Sequence, residues 1–97
     1  MDIRIYTDRQ GHAPFEHWLE TLLDRQARAK IRARLARLQA GNFGDCKSLR
    51  EGIQELRIDH GPGYRAYLSR QGSVLVLLLC GSDKSAQERE IVKAIAY

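Results

Sequence analysis

Lys47, Arg57, Arg65 and Lys84, with Tyr67 among them, are the side-chain types needed to hold a phosphate and an exposed base. Successive side chains of a strand point to opposite faces. Along 53–59, Glu55 and Arg57 therefore share one face while Leu56 and Ile58 take the other. Along 64–69, Arg65 and Tyr67 oppose Tyr64, Ala66 and Leu68. If the two segments pair, two arginines meet on one surface. Lys84 follows in the loop Gly81-Ser82-Asp83-Lys84, just ahead of an expected helix N-terminus, where backbone N–H groups favour an anion. Lys47 precedes the same strands. The expectation is a concave cationic site for an RNA phosphate and an unstacked base. The blander alternative is that arginines on half-exposed strands are solvated or paired with a neighbour such as Glu55.

A second basic run, Arg25, Arg28, Lys30, Arg32, Arg34 and Arg37, occupies thirteen positions that contain no acid. It is either a solvated helix face or a nucleic-acid surface, with Arg32 counted among the RNA-binding residues. Other reactive types carry less. His12 and His17 have no cysteine or carboxylate at metal-ligand spacing and His60 stands alone in a loop, so no metal and no cofactor are expected. Gly61-Pro62-Gly63 is explained by a turn needing permissive dihedrals. Trp18 and Tyr64 are assigned to the core. Cys46 and Cys80 are too few for a disulfide framework and are read as reduced.

The elements that must position these residues follow from period and punctuation. Ile3 to Tyr6 alternate like a short strand. Pro14 suits a first helical position, and Phe15, Trp18, Leu19, Leu22 and Leu23 recur at helical spacing. Asp24 caps a second helix with an Ile31, Leu35, Leu38 stripe, stopped by Gly41, so that two helices form a hairpin. Glycines then punctuate strands expected at Ile53–Asp59, Tyr64–Ser69 and Ser73–Cys80, joined by short loops that demand antiparallel pairing. Val74 to Leu79 lack alternation, which predicts a central strand covered on both faces. Ser85-Ala86-Gln87-Glu88 has the form of a capping box for a last helix with Ile91, Ala94 and Ile95 inward.

With 97 residues, 43% of them hydrophobic and 29% charged, the chain suits one α+β domain over 1–97 in the order β-α-α-β-β-β-α. The formal charge of +4 permits a phosphate-bearing partner. The longest apolar run, Val74 to Cys80, is far short of the roughly 20 residues that span a bilayer, and a signal-peptide core is missing, so a cytoplasmic protein is expected.

Glu55-Leu56-Arg57-Ile58, Gly61-Pro62-Gly63-Tyr64-Arg65-Ala66-Tyr67 and Leu79-Cys80-Gly81-Ser82-Asp83-Lys84-Ser85-Ala86-Gln87, preceded by Lys47-Ser48-Leu49, resemble the addiction-module killer proteins, the HigB-like toxins of the RelE/ParE superfamily. The likeness runs over nearly the whole chain. It implies a RelE-like fold, a small twisted antiparallel sheet carrying a helical hairpin. It also implies the toxin of a type II toxin–antitoxin system, an endoribonuclease that cuts messenger RNA on the ribosome and is silenced by a cognate antitoxin, expected to be a helix-turn-helix DNA-binding protein. By position, Arg65 matches the strand arginine that binds the scissile phosphate and Arg57 a strand basic residue implicated in activation. Lys84 falls in the loop that holds further active-site groups.

The tyrosine that several RelE toxins place shortly after that loop has no counterpart, since Arg89 stands near the equivalent offset, and Tyr67 is the suggested substitute. A short tail beyond Tyr97 is also implied. Attack by the ribose 2′-hydroxyl would need no metal, with Arg57 and Arg65 as phosphate clamps, Lys84 as base or acid, and Glu55 as the alternative base. The superfamily also holds ParE-like inhibitors of DNA gyrase without an active site, and that reading stays open.

Overall fold

Two short loops impose the centre of the sheet. The segments on either side of His60-Gly61-Pro62-Gly63, and those on either side of the turn at Gly72, have no room to do anything but pair antiparallel with their neighbours. In a computed structural model, which describes residues 2–72 and 75–97, the order is β1 (Asp2–Ile5), α1 (Pro14–Thr21), α2 (Arg25–Gln39), β2 (Cys46–Ser48), β3 (Ile53–Ile58), β4 (Tyr64–Gln71), β5 (Leu75–Asp83), a 3₁₀ turn (Lys84–Ala86) and α3 (Gln87–Ala96). The chain forms a compact α+β domain with a five-stranded sheet and these helices around it.

The spatial order is β1-β5-β4-β3-β2. The β2–β3, β3–β4 and β4–β5 pairs are antiparallel, while β1 lies parallel to β5. The sheet is therefore mixed, which corrects the expectation of an all-antiparallel one. The helical hairpin carries the chain across the sheet between β1 and β2, so the first strand is left to pair with the free edge of the last, and it does so parallel. The same pairing corrects a second expectation. The central strand is β4, and β5 lies between β1 and β4 instead of between the two meander strands. β2 was not foreseen; three residues, Cys46 to Ser48, are too few to show a period.

Leu78, Leu79 and Cys80 are buried, as a doubly covered strand requires, with α1 and α3 packed against β5. The Val74 end of that expected strand lies outside the described residues. A bulge explains part of the missing alternation. Tyr67 pairs with Cys80 but Leu68 pairs with Leu78, so Leu79 is an extra residue. Leu78 then joins the core under the helical hairpin with Leu56, Ile58, Ala66 and Leu68, while Leu79 and Cys80 join Ile53, Tyr67, Ile91 and Ala94 beneath α3.

The helix signals behave as their chemistry requires, with two exceptions. Pro14 opens α1, and Phe15 and Leu19 are buried. Asp24 caps α2, accepting from the N–H groups of Gln26 at 2.9 Å and Ala27 at 3.2 Å. Ala27, Ile31 and Leu38 form its buried stripe, with Leu35 packed beside it. However, α1 ends at Thr21 because Leu22 turns to extended backbone, and Leu23 leaves the expected stripe with 95% of its surface exposed. Ser85 does not cap the last helix. Asp83 instead caps the preceding 3₁₀ turn, accepting from the Ala86 N–H at 3.1 Å and the Ser85 hydroxyl at 2.6 Å, and α3 begins only at Gln87, after Ala86 and without a side-chain cap. Glu88, the acid of the expected box, turns away to Arg50 at 2.7 Å. Among the described residues no helix is long and apolar enough to cross a membrane.

At Gly81 the Trp18 ring of α1 lies directly against the backbone of β5. Gly81 lies opposite Ala66, and a Cβ there would meet the Trp18 indole at 2.2 Å. Gly81→Ala should therefore destabilise the fold by about 1–3 kcal/mol, the usual cost of overpacking. For a domain of this size that lowers Tm by about 4–8 °C per kcal/mol, readable by circular dichroism. Adding Trp18→Leu should recover much of the loss. An unchanged Tm for Gly81→Ala alone would refute the close-approach account.

Candidate functional site

The register places Arg57 of β3 directly opposite Arg65 of β4, and Glu55 opposite Tyr67 on the same face. Two guanidinium groups side by side repel, and Glu55 answers both. Its side chain is wholly buried; Oε1 accepts from Arg57 Nε at 3.1 Å and lies 3.6 Å from Arg65 Nη1. The other oxygen, Oε2, accepts from Gln87 Nε2 at 2.7 Å, so the start of α3 also holds the carboxylate. With both oxygens occupied beneath the arginines, Glu55 is unsuited to the role of alternative base. It orients the pair. Arg65 is 14% exposed and Arg57 38%. The Arg65 Nε–H is buried and has no hydrogen-bond partner, a rare condition for a charged donor.

Lys84 closes this surface from β5. The capping of the 3₁₀ turn by Asp83 presents it, exposed, beside the loop between β3 and β4. That loop is close: Gly63 adopts φ +82°, and a Cβ there would stand 3.9 Å from the Lys84 Cβ. The Ser85 hydroxyl keeps the Asp83 carboxyl below its ordinary value. The result is a cleft of about 360 Å³ lined by Arg57, Arg65 and Lys84 with Asp45, Asp59 and the Gly61–Gly63 loop. The three residues singled out as catalytic thus share one cavity. It is not purely cationic, because Asp45 and Asp59 also face it; neither is held in an ion pair among the described residues.

Two anchors keep the cleft in shape. His60 Nε2 lies 3.0 Å from Asp24 Oδ2 and its ring stacks on Tyr64, which ties the β3–β4 loop to the start of α2. The His60 bond is the main reason that the Asp24 carboxyl sits below its ordinary value. Arg34 is the second anchor. From α2 it donates to the backbone oxygens of Arg57, of Phe43 at 3.0 Å and of Asp45 at 3.3 Å, and the Arg57 N–H donates to the Asp45 oxygen at 2.9 Å. Sequence reasoning left Arg34 inside a basic run. Its position three residues from Ile31 and four from Leu38, on the flank of the buried stripe, was the available signal.

The residues assigned to RNA contact fare differently. Tyr67 is wholly buried and shares a 2.9 Å hydrogen bond with Ser82; burial pushes its phenol up to about 12. It cannot stack on an exposed base, which corrects that assignment. The bulge beside it turns Cys80 and Leu79 over the same side and α3 covers them, which period-two reasoning on the strand alone could not reveal. Lys47 is exposed on β2 opposite Glu55, outside the cleft lining. Arg32 projects near Ile3, Ile5 and Leu35, away from the cleft.

Cys46 and Cys80 are free thiols, and burial pushes the Cys80 thiol up to about 12. His12 and His17 line a separate hollow of about 490 Å³ with Glu16 and Glu20, but among the described residues no three His, Cys, Asp or Glu side chains are grouped to hold a metal ion.

No protein-family model matches the chain. It is 59% identical over 80 residues, 82% of this chain and 81% of the other, to an uncharacterized protein of Haemophilus influenzae (strain ATCC 51907 / DSM 11121 / KW20 / Rd). At that identity and coverage, the chain belongs to one family with the Haemophilus influenzae protein.

Proposed function

We propose that this protein is the toxin of a type II toxin–antitoxin pair, a RelE-like, HigB-like endoribonuclease that cuts messenger RNA on the ribosome in the cleft of Arg57, Arg65 and Lys84. One observation carries the reading. Two arginines are locked side by side by a single buried carboxylate, with a guanidinium N–H left unused, at the wall of a cleft that Lys84 closes. A phosphate in the cleft would be held by the guanidinium groups of Arg57 and Arg65 that line it, since arginine's fork matches phosphate geometry. The helical hairpin on one face of the sheet and α3 on the other support the RelE-like assignment.

In this mechanism the substrate's 2′-hydroxyl attacks the adjacent phosphorus. Arg65 and Arg57 hold the non-bridging oxygens as negative charge grows on the phosphorane. Lys84, the exposed cation of the three, transfers a proton at the attacking or departing oxygen. The P–O5′ bond breaks, leaving a 2′,3′-cyclic phosphate and a 5′-hydroxyl. An antitoxin, encoded beside the toxin and of helix-turn-helix type, would silence it by covering the cleft, and the work is cytoplasmic because ribosomes are.

Induced cells should lose messenger RNA and accumulate fragments bearing cyclic phosphate ends. A message with a 2′-deoxy sugar at the cut site should resist. Intact messages together with broken chromosomal DNA would replace this reading by that of a gyrase inhibitor, and efficient cutting of the deoxy message would end the proposed chemistry.

A further inference from the structure

A second hollow adjoins the cleft. It measures about 270 Å³, is lined on the α2 side by Lys30, Arg34 and Arg37, and shares Ile58 and Asp59 with the first. Arg34 spends its donors on backbone oxygens. Lys30 and Arg37 differ, because both are exposed and neither side chain has a hydrogen-bond or ion-pair partner among the described residues. They stand two turns apart on one side of α2, about 10.5 Å along its axis. Two unspent cations bordering a hollow that continues an anion-binding cleft suit the backbone of one extended strand, which places a phosphate at every nucleotide.

We infer that the Lys30–Arg37 hollow is a second phosphate-binding subsite, taking nucleotides that flank the cleaved bond, so that a single RNA strand runs from the Lys84 side of the cleft over the Ile58–Asp59 rim onto α2. This rests on reading the cleft as an RNA site. Asp59, on the shared rim, repels a phosphate there, so phosphates sit to either side of it and a sugar or base crosses between them. The arrangement explains why the helix-two run contributes through Lys30 and Arg37 while Arg32, on another side of the helix, does not.

The test uses the full-length protein and fluorescently labelled oligoribonucleotides with 2′-deoxy sugars to prevent cutting, one of two nucleotides and one of about ten. Lys30→Gln with Arg37→Gln should weaken binding of the longer strand about tenfold at low salt and lower the slope of log affinity against log salt by about 1.4, roughly 0.7 for each phosphate that is no longer neutralised. Binding of the dinucleotide should be unchanged. Asp59→Asn should tighten the longer strand. If the double variant binds the longer strand with wild-type affinity and slope while Arg65→Lys weakens both strands, the inference fails and the cleft remains an RNA site. If Arg65→Lys binds both strands as wild type does, the reading of the cleft fails and takes the inference with it. If the double variant keeps RNA affinity but loses binding to polyglutamate, the hollow is a site for an acidic polypeptide and the inference is overturned.

Discussion

Arg65→Lys should slow RNA cleavage about a hundredfold, on the order of 3 kcal/mol of transition-state stabilisation, while leaving a folded protein. Lysine preserves the positive charge that faces Glu55 at 3.6 Å, so the buried carboxylate keeps a partner. It cannot reproduce the planar fork, nor the buried Nε–H that has no hydrogen-bond partner. The choice of lysine over alanine matters. From spacing alone Arg65 is a half-exposed arginine whose removal costs little stability, but only 14% of its side chain is exposed and it belongs to a buried charge cluster. Alanine would mix a defect in chemistry with a defect in folding. Single-turnover cleavage by wild type and Arg65→Lys, each with its melting curve, separates the two. Wild-type cleavage by a well-folded Arg65→Lys protein would remove the phosphate-clamp role.

The parts of this molecule that were legible in its sequence are those set by local rules. Asp24 caps α2 because a short carboxylate before a helix meets free N–H groups whatever surrounds it, and Gly41 ends the same helix with φ +91°. The convergence of Arg57, Arg65 and Lys84 was legible too, because period two and two short loops leave few places for those side chains. What could not be read depended on partners distant in sequence. Gln87 reaches Glu55 across 32 positions, and nothing near either residue announces the pairing. β1 pairs parallel with a strand at the other end of the chain, where no turn chemistry marks the register. Tyr67 was misplaced for the same reason: its strand has one face under the helical hairpin, but α3 packs on the other face, so the side expected to meet solvent is core at that position.

The cluster around Glu55 also makes a claim about stability. Glu55→Gln keeps the shape of the side chain and its approach to Gln87, but removes the charge that separates two guanidinium groups facing each other across β3 and β4. Breaking a buried ion pair by neutralising one member strands the remaining charge and costs about 3–5 kcal/mol. Arg57 keeps 38% of its side chain in water, which screens its share, so the low end applies and the effect falls mainly on Arg65. At about 3 kcal/mol, Tm should drop by about 12–24 °C. Adding Arg57→Gln to Glu55→Gln should restore part of the loss, because it removes the like charge, and the two changes should be non-additive. Inorganic phosphate should also stabilise Glu55→Gln more than wild type, since a bound anion replaces the missing charge. Melting curves of the two single variants, the double variant and wild type, with and without phosphate, decide it. A Glu55→Gln protein that melts with wild type, or a double variant whose loss equals the sum of the single ones, would mean that the carboxylate is a bystander and that the arginines are held apart by something other than their shared counter-charge.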